Sequence, residues 1–215
     1  MKNLNEILKS LESGEKTIVM PENTSSFDLE KLADCLNGYS GITLDLRKTS
    51  IEEILAYTFG TKFIGSTADF SKIENFVQCT SLKSVILPET LKSIGKMAFF
   101  DCSNLESIIL SEGLTTIKTE AFCSCRNLKS ITFPDSVINI EDHAFASCNN
   151  LESINIPSSV RKIEKGAFLF CVKLKSIVFQ DSANWYTDSE YRASVSANEL
   201  PVKIRKGIAI YKKTI

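Results

Sequence analysis

The chain has 215 residues, 43% of them apolar, with 25 Lys and Arg set against 26 Asp and Glu. Such an even balance gives no bulk field toward nucleic acid or an anionic membrane, and no run approaches the roughly 18 apolar residues a membrane-spanning helix needs. Seven cysteines make an odd count, and only Cys123 and Cys125 lie close together, which is not the spacing of a zinc site.

At the N-terminus, Leu4, Ile7, Leu8 and Leu11 fall at helical intervals among polar residues, which predicts a short amphipathic helix and lacks the apolar core of a signal peptide. The expectation is a cytoplasmic protein as written, with the cell surface or secretion as the alternative if a leader was removed. Next, Ile18 and Met20 suggest a strand, and Ser25 or Ser26 the N-cap of a second helix. Ile42 to Phe59 holds an apolar strand, then Ile51, Ile54 and Phe59, and reads as a degenerate coil of a repeat. The stretch from Thr61 to Phe76 is shorter than the period, so one coil is abbreviated or bent.

From there the period is explicit. Cys79, Cys102, Cys125, Cys148 and Cys171 stand 23 residues apart at every step, as do Phe76, Phe99, Phe122, Phe145 and Phe168. After each Cys comes an alternating segment, beginning at Leu82, Leu105, Leu128, Leu151 and Leu174, that predicts a strand with Leu and two further apolar residues pointing inward. Two more apolar columns follow, Leu91, Leu114, Val137 and Val160, then Ile94, Ile117, Ile140 and Ile163. A unit this short cannot bury its own apolar face, so coils must stack and their strands form a parallel sheet.

The tail from Asp181, with Trp185, Tyr186, Tyr191 and a strand-like segment at Ile208 to Tyr211, reads as a C-terminal cap in which the lone Trp packs. The resulting division is an N-terminal cap over 1–38, a solenoid over 39–180 with degenerate repeats at 39–75 and regular ones at 76–179, and a C-terminal cap over 181–215.

Over residues 76–179 the unit resembles the leucine-rich repeat, specifically the BspA-like subclass with its pattern C-x-x-L-x-x-I-x-I-P-x-x-V-x-x-I-x-x-x-A-F-x-x-C. Asn75 departs from the Ala of that pattern, and Ser111 and Gln180 from its Pro. The resemblance implies an α/β repeat solenoid: a right-handed horseshoe with a parallel sheet on the concave face, short helical turns on the convex face and capped ends. It also implies free, buried cysteines and a non-enzymatic recognition module, with adhesion or host-protein binding as the family's association.

The residues themselves carry no catalytic constellation. Neighbouring cysteines of the column fall within disulfide distance, but side chains of one column project in parallel, whereas a disulfide needs its Cβ atoms turned together. Cys123 shares a column with Phe100, Ala146 and Leu169 and reads as packing. His143, the sole histidine, shares one with Met97, Glu120 and Gly166 and reads as a variable convex surface position, so no Ser-His-Asp or Cys-His arrangement is available. No phosphate loop or metal motif occurs, and no cofactor is expected.

What remains is exposed strand positions. Lys83, Glu106, Lys129, Glu152 and Lys175 alternate in sign coil by coil, so each charge should have opposite charges on either side. Ser84, Ser107, Ser130, Ser153 and Ser176 are uniform. Ile86, Ile109, Thr132, Asn155 and Val178 vary and are the positions able to discriminate, with Ile86 and Ile109 forming a small apolar patch. The expected partner is a protein or peptide on this face. A structural or weakly self-associating scaffold using its end caps is the alternative.

Overall fold

The computed structural model describes residues 4–60, 62–64, 75–77, 79–180, 185–187, 194–195 and 199–212. In chain order these form α1 (Leu4–Glu12), β1 (Thr17–Val19), α2 (Ser26–Cys35), β2 (Ile42–Asp45), β3 (Glu53–Ile54), β4 (Lys62–Ile64), β5 (Asn75–Val77), β6 (Leu82–Ile86) and β7 (Ser93–Ile94). There follow β8 (Ser107–Ile109), β9 (Thr116–Ile117), β10 (Asn139–Ile140), β11 (Ser153–Ile156), β12 (Lys162–Ile163) and β13 (Ser176–Phe179). The chain ends with β14 (Trp185–Thr187), β15 (Ser194–Val195), α3 (Leu200–Arg205) and β16 (Ile210–Lys212).

The repeats wind into a parallel-sheet β-solenoid of about six turns. Its first sheet runs β1-β2-β6-β8 and resumes as β11-β13, in the register the period dictates: Val85 opposite Ile108, Ile154 opposite Ile177. The inward residues of these strands, Leu82, Val85, Leu105, Ile108, Leu151 and Ile154 among them, are buried. A second sheet, which the strand pattern did not announce, lines the opposite side. There the two-residue strands β3, β7, β9, β10 and β12 pair in parallel through the column Ile54, Ile94, Ile117, Ile140 and Ile163.

Between the sheets the phenylalanines stack ring on ring: Phe59 to Phe99 at 5.3 Å, Phe99 to Phe122 and Phe122 to Phe145 at 5.1 Å, Phe145 to Phe168 at 5.4 Å. Stacked aromatics at this spacing contribute beyond their area burial. The ring preceding Phe99 is thus that of Phe59, whereas the period nominates Phe76, whose side chain lies outside the described residues. The reason is topological. β2 pairs directly with β6 and β3 with β7, while β4 and β5 pair with each other in antiparallel fashion; the rest of the stretch expected to be an abbreviated or bent coil lies outside the described residues. The degenerate unit at Ile42 to Phe59 is a full turn.

The segments following the second sheet are not the expected helical turns. Met97, Glu120, His143 and Gly166 have φ of 55–68°, and so, four residues on, do Asp101, Ser124, Ser147 and Phe170, with φ of 56–63°. Two left-handed residues per coil break the α-helical run and replace it with linked tight turns, bonded coil to coil, as Phe99 N–H to Ala121 O at 2.8 Å and Phe122 N–H to Ala144 O at 2.8 Å. His143 therefore occupies a constrained backbone position rather than a merely variable one. Its ring lies where a Cβ on Gly166 would sit, 2.5 Å from Nε2.

At the N-terminal end α1 buries Ile7 and Leu11, and α2 buries Leu29 and Leu32. Ser25 caps α2 in a capping box with Asp28, which holds the Asp28 carboxyl below its ordinary pKa through the Ser25 hydroxyl and backbone. β1 joins the first sheet with Ile18 opposite Leu44. At the other end β16 turns the second sheet antiparallel by pairing with β12, and β14 and β15 extend it. Trp185 is buried there, edge-on to Phe179 at 5.3 Å, with Lys212 Nζ 5.1 Å from its ring. Tyr191 lies outside the described residues, and so does the side chain of Tyr186.

Candidate functional site

The outward positions of the first sheet fall where alternation puts them. Ile109 is 58% exposed and Val178 53%. Thr132 and Asn155 are exposed and Ile86 is half-buried. Ile86 and Ile109 are direct register partners, so the two isoleucines do adjoin. The serine column forms at least one rung, Ser107 Oγ donating to Ser84 Oγ at 2.9 Å. The asparagine column works in the turns, Asn104 Nδ2 donating to Thr80 O at 2.9 Å and Asn150 Nδ2 to Asn127 Oδ1 at 3.1 Å.

The alternating charges pair only in part. Glu106 receives Lys129 Nζ at 2.6 Å, with Lys83 Nζ at 3.9 Å on its other side, and its carboxyl is held below the ordinary range by the Lys129 hydrogen bond first and its charge second. Among the described residues the series stops at Lys129: Glu152 and Lys175 are exposed and make no ion pair.

Leu128–Phe133 is the one predicted strand that forms no strand, and the sheet is interrupted between β8 and β11 at this coil. Only Lys129 spans it, its N–H reaching Glu106 O at 3.2 Å and its carbonyl accepting from Glu152 N–H at 3.4 Å. Ile131 and Phe133 still point inward and are buried, so the coil keeps its core residues although its segment joins neither neighbouring strand in a ladder.

At the carboxyl ends of the strands beside this opening lies a cleft of about 400 Å³. Ile109, Thr132 and Phe133 form much of its wall, and Glu112, Asp135 and Gln180 bring polar groups to it. Two of the sequence-designated positions, Ile109 and Thr132, therefore line this cleft, whereas Ile86, Asn155, Val178 and the charged column are not among its described lining residues. Glu112, Asp135 and Gln180 escaped sequence reasoning. The signal was present for the acids: Glu89, Glu112 and Asp135 share a column 23 residues apart, just past the alternating segments.

Elsewhere the reactive residue types serve packing. Cys102, Cys125, Cys148 and Cys171 are buried and each donates its thiol to a phenylalanine carbonyl, of Phe59, Phe99, Phe122 and Phe145, at 3.1–3.3 Å. Burial pushes the thiol pKa values of Cys102, Cys125 and Cys148 well up, away from the nucleophilic thiolate. Cys123 is raised more modestly, also by burial, while a hydrogen bond with Cys102 lowers Cys79. Among the described residues no group of three or more His, Cys, Asp or Glu could hold a metal ion.

A family model for the BspA type leucine rich repeat region matches residues 71–195 in 6 copies. Among solved structures, a T. pallidum leucine rich repeat protein is similar at 28% identity and a TM-score of 0.54, covering 75% of this chain and 57% of its own. A leucine-rich repeat protein from Bacteroides ovatus is similar at 27% identity and a TM-score of 0.50, covering 60% of this chain and 29% of its own. The chain thus spans less than two thirds of either. No curated protein sequence matches.

Proposed function

The chain belongs to the BspA-type leucine-rich-repeat family, and from that premise we propose that it is a non-enzymatic module binding a protein or peptide on the face of its first sheet. The observation that carries this reading is the separation of roles within one coil. The apolar columns that repeat are buried, whereas one exposed strand column varies along the stack, from Ile86 and Ile109 through Thr132 and Asn155 to Val178. Identical surfaces stacked six times would offer only a periodic array; varied side chains held on a rigid sheet give a partner something to select. Adhesion, including contact with a host protein, is the role that family membership favours, and residues 1–38 and 181–215 would then cap the two ends of the module.

The test is capture of protein by the immobilised chain, compared with a folded Ile86→Glu plus Ile109→Glu variant. Loss of capture is expected, because each substitution puts a charge into an apolar contact; full retention overturns the assignment of the face.

A second reading, self-association, is favoured by one observation. Phe170 and Val172 on the last regular coil are exposed, whereas Trp185 is buried and offers nothing to a second copy. A sedimentation coefficient independent of concentration would remove this reading.

A further inference from the structure

Glu89, Glu112 and Asp135 are all exposed and occupy one column just past β6, β8 and the 128–133 segment. The column repeats every 23 residues, so three like charges follow one another along the solenoid, and like charges on neighbouring coils disfavour one another. Among the described residues none of the three makes an ion pair. The contrast with the neighbouring column is direct: there Glu106 lies between two lysines. Two members of the row, Glu112 and Asp135, border the cleft, and among the described residues no basic one lines it.

Resting on the module reading above, we propose that this cleft binds an extended peptide segment carrying an arginine or lysine flanked by apolar residues. The cationic group sits between Glu112 and Asp135, and an apolar neighbour lies on Ile109 and Phe133. A bound metal ion is a poorer occupant, since the carboxylates do not converge as a ligand set. A cleft of about 400 Å³ lies within the ordinary range for ligand sites and exceeds what a lone cation fills. The cleft lies beside residues 128–133, where the pairing of the first sheet is interrupted.

The probe is a fluorescein-labelled hexapeptide of alternating isoleucine and arginine, with a counterpart bearing glutamine for arginine, followed by fluorescence anisotropy against the full chain. The arginine peptide is expected to bind and the glutamine one to bind at least about tenfold more weakly, with the difference shrinking in high salt. Glu112→Gln plus Asp135→Asn should weaken arginine-peptide binding by about tenfold while leaving the melting temperature unchanged or higher, since like-charge repulsion is relieved. Glu6→Gln plus Glu22→Gln, removing equal charge from the N-terminal end, should leave binding unaltered.

Four results would overturn the proposal: no binding of the arginine peptide at about 1 mM, equal binding of the two peptides, indifference to the Glu112 and Asp135 changes, or displacement by free arginine at equal concentration. These are separable from failure of the module reading. That reading fails when protein capture survives the Ile86 and Ile109 changes; the cleft fails when capture is lost in that variant but the peptide ignores the acids.

Discussion

The two sides of each coil obey the same 23-residue period and respond to it differently. On the second-sheet side pairing runs unbroken from β3 through β7, β9 and β10 to β12, and the phenylalanine rings inside it keep within 5.1–5.4 Å of one another. On the strand side, with comparably regular residues, the ladder opens at Leu128–Phe133. The difference teaches which groups set the rise of the solenoid. The aromatic column, the thiols donating across coils and the left-handed turns are mutually bonded and dry. The strand face is held by a ladder with solvent on one side and can yield at one coil without exposing Ile131 or Phe133.

The comparison is broken most severely at the aromatic column. Phe122→Ala should lower unfolding stability by roughly 3 to 5 kcal/mol, as a buried aromatic truncation flanked by two stacked rings, and Ile109→Ala by under about 0.5 kcal/mol, as a surface change; chemical denaturation of both variants measures the pair. Equal losses would mean the strand face shares the load.

Next in size is local opening. Amides of Ile131 and Phe133 should exchange with solvent at least about tenfold faster than that of Ile140 in the second sheet, which hydrogen-exchange mass spectrometry can read. Equal protection would close the gap that frames the cleft.

The smallest effect is electrostatic. Lys118 Nζ meets Glu53 Oε1 at 2.6 Å, linking β9 to β3 across β7, and this hydrogen bond holds the Glu53 carboxyl below its ordinary range. A depressed folded pKa contributes stability present above the unfolded value and lost as pH falls through the folded one. Glu53→Gln should therefore flatten the melting temperature's fall between about pH 5 and pH 3, by a small amount because both partners are more than a third exposed.

Much of the fold could be read from residues alone. Alternation placed the strands, period placed the columns, and Ser25 announced the start of α2. What escaped had no residue-type signature. The left-handed positions read Met, Glu, His and Gly in one column and Asp, Ser, Ser and Phe in the other. Such a mixture looks unconstrained, because the constraint is on the backbone and is enforced by coil closure. The antiparallel pairing of Lys62–Ile64 with Asn75–Val77 was not legible, because Phe76 keeps the period in number while it is Phe59 that stacks on Phe99. At the candidate site, Ile109 and Thr132 were legible as exposed and variable. Their gathering with Glu112, Asp135 and Gln180 was not, since it depends on an interruption in one coil that no change in the repeat marks.

The sequence by itself determined the period, the inward columns and hence the necessity of stacking, because a 23-residue unit has no other way to bury its apolar face. Only the tertiary structure decided where the stack yields. Pairing of neighbouring strands is a competition between ladder bonds on one side and aromatic and turn contacts on the other, and its outcome belongs to the assembled coils rather than to any one of them.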